Sequence, residues 1–198
     1  MLASSYTHNL IECGLDEAGR GCLCGPVVAA GVVLPKNFTH KILRDSKQLS
    51  AKERNELAEE IKEKAIEWTI SEANATEIDT FNILNASILA MHRCVEKLQT
   101  KPELLLIDGN RFHPYNFIPY QCVVKGDDKF FSIAAASVLA KTHRDKIMKD
   151  LAEQFPMYSW EKNMGYPTQT HRQAIKDFGI TIWHRKTFKG VKELVSNG

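Results

Sequence analysis

The segment IECGLDEAGRGCLCGPVVAAGVVL, residues 11–34, carries the pattern that decides the fold. Two short apolar runs, residues 11–16 and 27–34, are separated by a segment that contains three glycines and a proline. Runs of this length with turn residues between them are typical of neighbouring β-strands. The segment therefore predicts two sequential strands, with the carboxylates of Asp16 and Glu17 at the end of the first.

Strand and helix patterns alternate along the rest of the chain. The spacing from Ser50 to Glu53 is that of a capping box and predicts a helix over 51–65. Further strands are predicted at 66–73, 103–108 and 120–124, and further helices from Phe81 onward, over 131–154 and over 168–178. Strands that first pair as a hairpin and then alternate with helices predict an α/β fold, a mixed sheet flanked by helices.

The helix that begins at Phe81 has apolar residues at helical spacing, which predicts one buried stripe. The members of this stripe are Phe81, Leu84, Ile88, Met91, Val95 and Leu98. The helical pattern weakens after Pro156, which predicts a small C-terminal appendage. With 198 residues, the chain has room for one main core. We expect a main core over 1–155 and a C-terminal helical subdomain over 156–198.

Composition excludes several classes of protein. The chain is 43% hydrophobic and 25% charged, as in ordinary globular proteins. Its apolar runs are shorter than the roughly 20 residues of a membrane span, and its first residues do not resemble a signal peptide. The five cysteines are odd in number and include no C-x-x-C pair, which favours reduced thiols. These features predict a cytoplasmic protein without a membrane partner.

Cys22-Leu23-Cys24 has the composition of half a metal site, but no second cysteine or histidine cluster in the sequence completes it. This favours small buried thiols. The net charge is +2, and residues 125–198 hold 13 Lys and Arg against 8 Asp and Glu. The C-terminal part is therefore the better candidate for a surface that faces a polyanion, although such an excess also fits a solvated face.

Three acidic clusters follow apolar runs: Asp16-Glu17, Asp108, and Asp127-Asp128. Carboxylates brought together at strand ends repel one another, and bound Mg²⁺ or Mn²⁺ offsets that repulsion. Each cluster taken alone also fits a simple turn. Because adjacent side chains of a strand point to opposite faces, the first strand must twist or end at Asp16 and Glu17 if both are to face one site.

Several blocks resemble type 2 ribonucleases H, specifically bacterial ribonuclease HII. These blocks, in chain order, are GLDEAGRGCLCGPVVAAGVVL, DSKQLS (45–50), LLLIDGN (104–110), KGDDKFFSIAAASVLAKTHRD (125–145) and GYPTQTH (165–171). The resemblance implies a ribonuclease H-like fold, with a catalytic core over 1–155 and a subdomain over 156–198 that contributes to substrate binding. It also implies four carboxylates that bind two divalent ions, Mn²⁺ or Mg²⁺. The matching positions are Asp16, Glu17, Asp108 and Asp127. Asp128 stands where relatives often have serine, so alignment favours Asp127 over Asp128.

The resemblance also implies the reaction: cleavage of the RNA strand of RNA–DNA hybrids, and cutting on the 5′ side of single ribonucleotides in duplex DNA. The resemblance further implies that the backbone of Gly19-Arg20-Gly21 contacts the 2′-hydroxyl of the ribonucleotide. It implies that Tyr166 packs on the adjacent deoxyribose. Candidates for phosphate contacts are Lys47, Lys125, Lys141 and Arg144. The expected partner is nucleic acid, with no small-molecule cofactor, and the default assembly is a monomer.

Two other readings remain open. A metal-dependent phosphoesterase acting on a small phosphate ester usually has an Asp-x-Asp pair or a phosphate-binding glycine loop, and this sequence has neither at the first strand end. A non-catalytic module that binds hybrids would use the same acids as turn residues. Metal binding that Asp108→Asn weakens would separate this module from the enzymes.

Overall fold

The computed structural model describes residues 2–41, 43 and 49–195. Within them, one sheet has the spatial order β3-β2-β1-β4-β5. The strands are β1 (Glu12–Ala18), β2 (Val27–Val33), β3 (Glu67–Ala73), β4 (Leu104–Asp108) and β5 (Tyr120–Val123). β1, β2 and β3 are antiparallel neighbours, whereas β1, β4 and β5 run parallel. The predicted hairpin and the mixed sheet are confirmed.

The helices in the described part of the chain flank this sheet and extend beyond it. They are α1 (Ala51–Lys64), α2 (Ala75–Lys97), α3 (Phe131–Gln154), α4 (Trp160–Asn163), α5 (Gln169–Phe178) and α6 (Lys192–Val195). The capping box of α1 is confirmed, because the Ser50 hydroxyl accepts from the Glu53 amide at 3.3 Å and the Glu53 carboxylate accepts from the Ser50 amide at 2.9 Å. None of these helices is long and apolar enough to cross a membrane.

Helix α2 begins earlier than predicted. Asn74 and Glu77 form a second capping box, with Asn74 Oδ1 accepting from the Glu77 amide at 2.9 Å. Asn82, at φ 66°, interrupts the helix, and its side chain caps the following segment by accepting from the Asn85 amide at 3.1 Å. Phe81 lies before this break and is 47% exposed, so its predicted place in the buried stripe is wrong.

The sheet is covered on both faces. α2 packs on one face, where Leu15, Ile78 and Met91 belong to one hydrophobic cluster. α1 and α3 pack on the other face, in a cluster that includes Val28 and Ala136. The predicted bounds of α3 are confirmed, and the many alanines on it allow the helix to approach the sheet closely.

The segment after α3 packs against the end of that helix. Trp160 and Ile175 share a hydrophobic cluster with Met148 and Leu151 of α3 and with Leu23, which follows β1. The C-terminal helices therefore share their core with the loop that joins β1 to β2. This contact brings the C-terminal segment next to the ends of the central strands.

Candidate active site

The sheet register brings the predicted carboxylates together. β1 and β4 run parallel with Leu15 opposite Ile107, so Asp16 and Asp108 follow at the same edge of the sheet. After β5 the chain turns at Lys125, which has φ 55°, into a 3₁₀ turn that contains Asp127. A cleft of about 740 Å³ is lined by all four predicted acids, Asp16, Glu17, Asp108 and Asp127.

The end of β1 differs from the sequence prediction. The predicted strand ends at Asp16, whereas the observed strand continues to Ala18. The chain changes direction at Gly19, which has φ 95°. Asp16 bonds with Ser137 of α3, whereas Glu17 pairs with Arg20 at 3.0 Å. Both carboxylates still line the cleft, although neither stands at the end of the strand.

Asp108 connects two parts of the site. One of its carboxylate oxygens accepts from the Gly126 amide at 2.7 Å, which ties β4 to the turn that carries Asp127. Asp108 and Glu17 also line a neighbouring cavity of about 300 Å³ against α2. This hydrogen bond holds the turn that carries Asp127 next to Asp108.

The electrostatics of the cleft fit a cation site. Burial, followed by repulsion from Glu17 and Asp108, raises the pKa of Asp16 well above its usual value. Burial also raises the pKa of Glu17, although the Arg20 guanidinium opposes this shift. A crowded set of carboxylate oxygens suits hard divalent ions such as Mg²⁺ and Mn²⁺. The described residues that line this cleft include no histidine or cysteine, so the donor set does not resemble a zinc site.

The two adjacent aspartates of the third cluster differ in position. Asp127 is half-buried and lines the cleft. Asp128 is exposed and is not among the cleft-lining residues. The geometry therefore separates two residues that the acidic pattern alone left equivalent.

The glycine segment and Tyr166 lie on the same side of the cleft. Gly19, Arg20, Gly21 and Tyr166 all line it. A Cβ placed on Gly21 would lie 3.9 Å from Cε1 of Tyr166, so the ring stands next to the turn. Tyr166 is 48% exposed, and its hydroxyl has a hydrogen bond with the buried thiol of Cys22. One flat aromatic face and a backbone turn are thus presented together to the cleft.

The predicted phosphate-contacting residues divide into different environments. Lys141 is exposed and lines the cleft, whereas Lys125 is exposed and is not among the cleft-lining residues. Arg144 also borders the cleft but is 2% exposed, and its guanidinium donates to backbone carbonyls of Pro26 at 3.1 Å, Met164 at 2.8 Å and Cys24 at 3.1 Å. Lys47 lies outside the described residues.

Several cleft residues were missed by the sequence analysis. Ser137 and Asp145 flank Lys141 at four-residue spacing, so the three share one face of α3. The four-residue spacing in the sequence could have predicted that Ser137 and Asp145 lie on the same helix face as Lys141. Arg54 of α1 also lines the cleft and pairs with Asp145 at 3.8 Å. This contact joins distant segments, and the sequence pattern does not reveal it.

A second cluster lies beneath the cleft: Cys24, His171 and His184, all buried, with potential ligand atoms within 4.8 Å of one another. The expectation that no histidines complete the Cys22-Leu23-Cys24 pattern is therefore corrected, since the fold brings two of them to Cys24. Each histidine comes from the segment after α3, more than 140 residues away in the sequence. The fold brings these three residues together, and their spacing in the sequence does not indicate it.

Hydrogen bonds account for the histidines without an ion. His184 Nδ1 accepts from the Thr181 amide at 2.9 Å, which places its proton on Nε2, 3.3 Å from His171 Nε2. His171 Nδ1 lies 3.0 Å from the Tyr166 carbonyl, and His171 Nε2 accepts from Trp160 at 3.0 Å. Burial lowers the pKa of His184 to about 4. A neutral hydrogen-bonded pair that supports the Tyr166 loop fits this geometry better than a metal site.

The mixed sheet and its flanking helices define a fold of the ribonuclease H-like class. The ribonuclease H2 from Pyrococcus horikoshii OT3 has a TM-score of 0.78 at 22% identity, covering 94% of this chain and 97% of that chain. Bst-RNase HIII in complex with Mn²⁺ has a TM-score of 0.73 at 18% identity, covering 97% of this chain and 71% of that chain. These likenesses establish the fold.

Sequence comparison then gives the family. The family model for ribonuclease HII matches residues 13–191. Ribonuclease HII of Porphyromonas gingivalis (strain ATCC BAA-308 / W83) is 56% identical over 192 residues, which is 96% of this chain and 96% of the relative. The chain belongs to the ribonuclease HII family, and it is a metal-dependent endoribonuclease of the ribonuclease H type.

Proposed function

We propose that this enzyme hydrolyses the RNA strand of RNA–DNA hybrids and cuts on the 5′ side of single ribonucleotides embedded in duplex DNA. The observation that carries the proposal is one cleft where four carboxylates adjoin a glycine turn and Tyr166. The products would carry 5′-phosphate and 3′-hydroxyl ends. In a cell, this activity would serve ribonucleotide excision repair and the removal of RNA primers during DNA replication.

We assign the metal-holding role to Asp16, Glu17, Asp108 and Asp127. Two divalent ions, Mn²⁺ or Mg²⁺, would supply activation of a water and charge stabilisation at the leaving 3′ oxygen. Asp16 and Asp108 are held by Ser137 and by the Gly126 amide, so their oxygens are oriented before any ligand arrives. Asp127, on the rim of the cleft, would also orient the attacking water.

Recognition of ribose would rest on the turn at Gly19-Arg20-Gly21. The 2′-hydroxyl both donates and accepts hydrogen bonds and is the group that distinguishes RNA from DNA at one position. Backbone groups of a glycine turn can approach it closely, because no side chain intervenes at Gly19 or Gly21. Tyr166, half-exposed beside Gly21, would pack on the adjacent deoxyribose and favour an RNA-to-DNA junction.

Phosphates would be bound by cations around the cleft. Lys141 and Arg20 have exposed side chains that line it, and Lys47 and Lys125 remain candidates from the family motif. For Arg144 we propose a positioning role in place of the predicted phosphate contact, because its guanidinium is already committed to three carbonyls. The C-terminal subdomain, which carries Tyr166, would complete the substrate surface of a cytoplasmic, monomeric enzyme.

The test is a cleavage assay on two substrates, an RNA–DNA hybrid and a DNA duplex with one internal ribonucleotide, with an all-DNA duplex as the control. Each is incubated with Mn²⁺, Mg²⁺ or chelator, and Asp108→Asn is assayed in parallel. The proposal predicts metal-dependent cutting on the 5′ side of the ribonucleotide and its loss in the variant. A folded wild-type protein that cuts hybrids but leaves the embedded ribonucleotide intact would remove the finer part of the proposal.

A further inference from the structure

The C-terminal segment pairs with the chain immediately after the glycine turn. Cys24 and His184 form an antiparallel bridge. On either side of it, the Arg185 amide donates to the Leu23 carbonyl at 2.9 Å and the Gly25 amide donates to the Trp183 carbonyl at 2.9 Å. Residues distant in sequence therefore form a short two-stranded ladder next to the glycine turn.

Arg185 extends this ladder with its side chain. It is 0% exposed, and Nη1 donates to the Arg20 carbonyl at 3.0 Å. Nε and Nη2 both donate to the Gly25 carbonyl, at 3.1 and 3.0 Å. The guanidinium also stacks over Phe188, 5.0 Å from the ring centroid. One planar group thus spans from Arg20 to Gly25.

The position of these bonds matters more than their number. The Arg20 carbonyl belongs to the turn that lines the cleft, whereas Arg185 itself is not among the cleft-lining residues. Gly19 and Gly21 give this turn little intrinsic stiffness, because glycine populates many backbone conformations. A turn that must place its backbone groups within a fraction of an ångström of a ribose needs rigid support from outside.

We propose that Arg185 is a positioning residue that holds the backbone of Gly19-Arg20-Gly21 in the conformation that reads the 2′-hydroxyl. This inference rests on the proposed function of the turn. Arg185 touches neither substrate nor metal ligands; it acts through the Arg20 and Gly25 carbonyls. The planar guanidinium is required because an ammonium group cannot bridge both carbonyls in the same way.

The test compares Arg185→Met and Arg185→Lys with the wild type on the single-ribonucleotide duplex, at a temperature where each variant is folded by circular dichroism. We expect kcat of Arg185→Met to fall at least about tenfold with little change in KM, since misplacement of a positioning group acts on the reacting geometry. Arg185→Lys should recover part of this loss. Mn²⁺ affinity, measured by calorimetry, should remain at the wild-type value because Asp16 and Asp108 are held by Ser137 and by the Gly126 amide, contacts that do not involve Arg185.

Arg93→Met is the matched control. Arg93 also bonds to a backbone carbonyl, that of Glu72 at 2.8 Å, and to Glu77 at 2.6 Å, but it lies on α2 away from the turn. Its kcat should equal that of the wild type. An Arg185→Met enzyme with wild-type kcat, or one whose loss is matched by Arg93→Met, would overturn the inference. A wild-type enzyme that fails to cut the substrate would instead refute the proposed function.

Hydrogen exchange provides a readout that does not depend on catalysis, should Arg185→Met not fold. In Arg185→Lys, amides of residues 19–25 should exchange at least about tenfold faster than in the wild type, while amides of α2 keep their rates. Unchanged exchange in residues 19–25 would show that the turn keeps its conformation without the guanidinium, and it would overturn the inference.

Discussion

Replacing Gly19 with alanine should lower the free energy of unfolding much more than the same change at Gly179, which also has a positive φ. Gly19 has φ 95°, and a Cβ at this position would overlap Nε of Arg144. Arg144 cannot easily retreat, because it is buried and bonded to three carbonyls. Gly179 has φ 79°, but no atom lies within 4 Å of the place where its Cβ would be.

The magnitude follows from two contributions. A non-glycine residue held at such a positive φ costs roughly 1–3 kcal/mol, and this applies to both glycines. At Gly19, displacement of Arg144 also breaks at least one charge-assisted hydrogen bond, worth roughly 1.5–3 kcal/mol. The sum for Gly19→Ala is therefore about 2.5–6 kcal/mol, against about 1–3 kcal/mol for Gly179→Ala. For a domain of this size, each kcal/mol corresponds to about 2–4 °C in Tm.

Thermal unfolding followed by circular dichroism, in the presence of a chelator, measures this difference directly. Gly19→Ala should melt roughly 10 °C below the wild type, and Gly179→Ala only a few degrees below it. Equal melting temperatures for the two variants would refute the reasoning, because they would show that Arg144 moves aside at no cost. The same Gly19→Ala protein should have lost most of its cleavage activity at a temperature where it is still folded.

Three further predictions concern the acids and cations of the cleft. Because the folded-state pKa of Asp16 is raised, its ionisation destabilises the metal-free protein; this penalty is full above the folded-state pKa and declines as pH falls below it towards the pKa of the unfolded state. Asp16→Asn should therefore be more stable than the wild type at mildly alkaline pH in urea denaturation with chelator, with an advantage that shrinks on acidification. Asp127→Asn should lower kcat by about 100-fold or more, as expected for a metal ligand, whereas Asp128→Asn should remain within a few-fold of the wild type; equal losses would contradict the assignment. Lys141→Gln should raise KM several-fold and reduce the slope of log KM against log salt by roughly 0.7–0.9, the effect of one lost phosphate contact.

The strands and helices of the sheet could be predicted because their signals are local. Hydrophobic periodicity identified α3 with its observed bounds, and the capping box identified the start of α1. The earlier start of α2 was also readable, since Asn74 and Glu77 have the same spacing as Ser50 and Glu53. The break at Asn82 was not, because a positive φ in an asparagine depends on a local balance that the apolar pattern does not record.

The acidic part of the cleft could be predicted for a different reason. Asp16 and Asp108 follow apolar runs, and parallel strands bring their carboxyl ends to one edge of a sheet, so the sequence order already implied proximity. Arg144 and Arg185 could not be interpreted in this way. Both are charged residues in polar surroundings of the sequence, and only tertiary packing shows that their partners are backbone carbonyls.

These two arginines explain how one turn can serve both a cationic and an anionic ligand. The β1 end of the turn adjoins Asp16 and Glu17, whose mutual repulsion favours bound cations. Behind the turn, Arg144 and Arg185 place two buried positive charges whose hydrogen bonds go to backbone dipoles. Under the proposed function, positive potential beneath the glycine turn would attract a phosphate, and the carboxylates beside it would hold the ions that neutralise the same phosphate. A nucleic-acid backbone with its divalent ions would match both the carboxylates and the positive potential behind the turn. A metal ion alone or an anion alone would match only one of them.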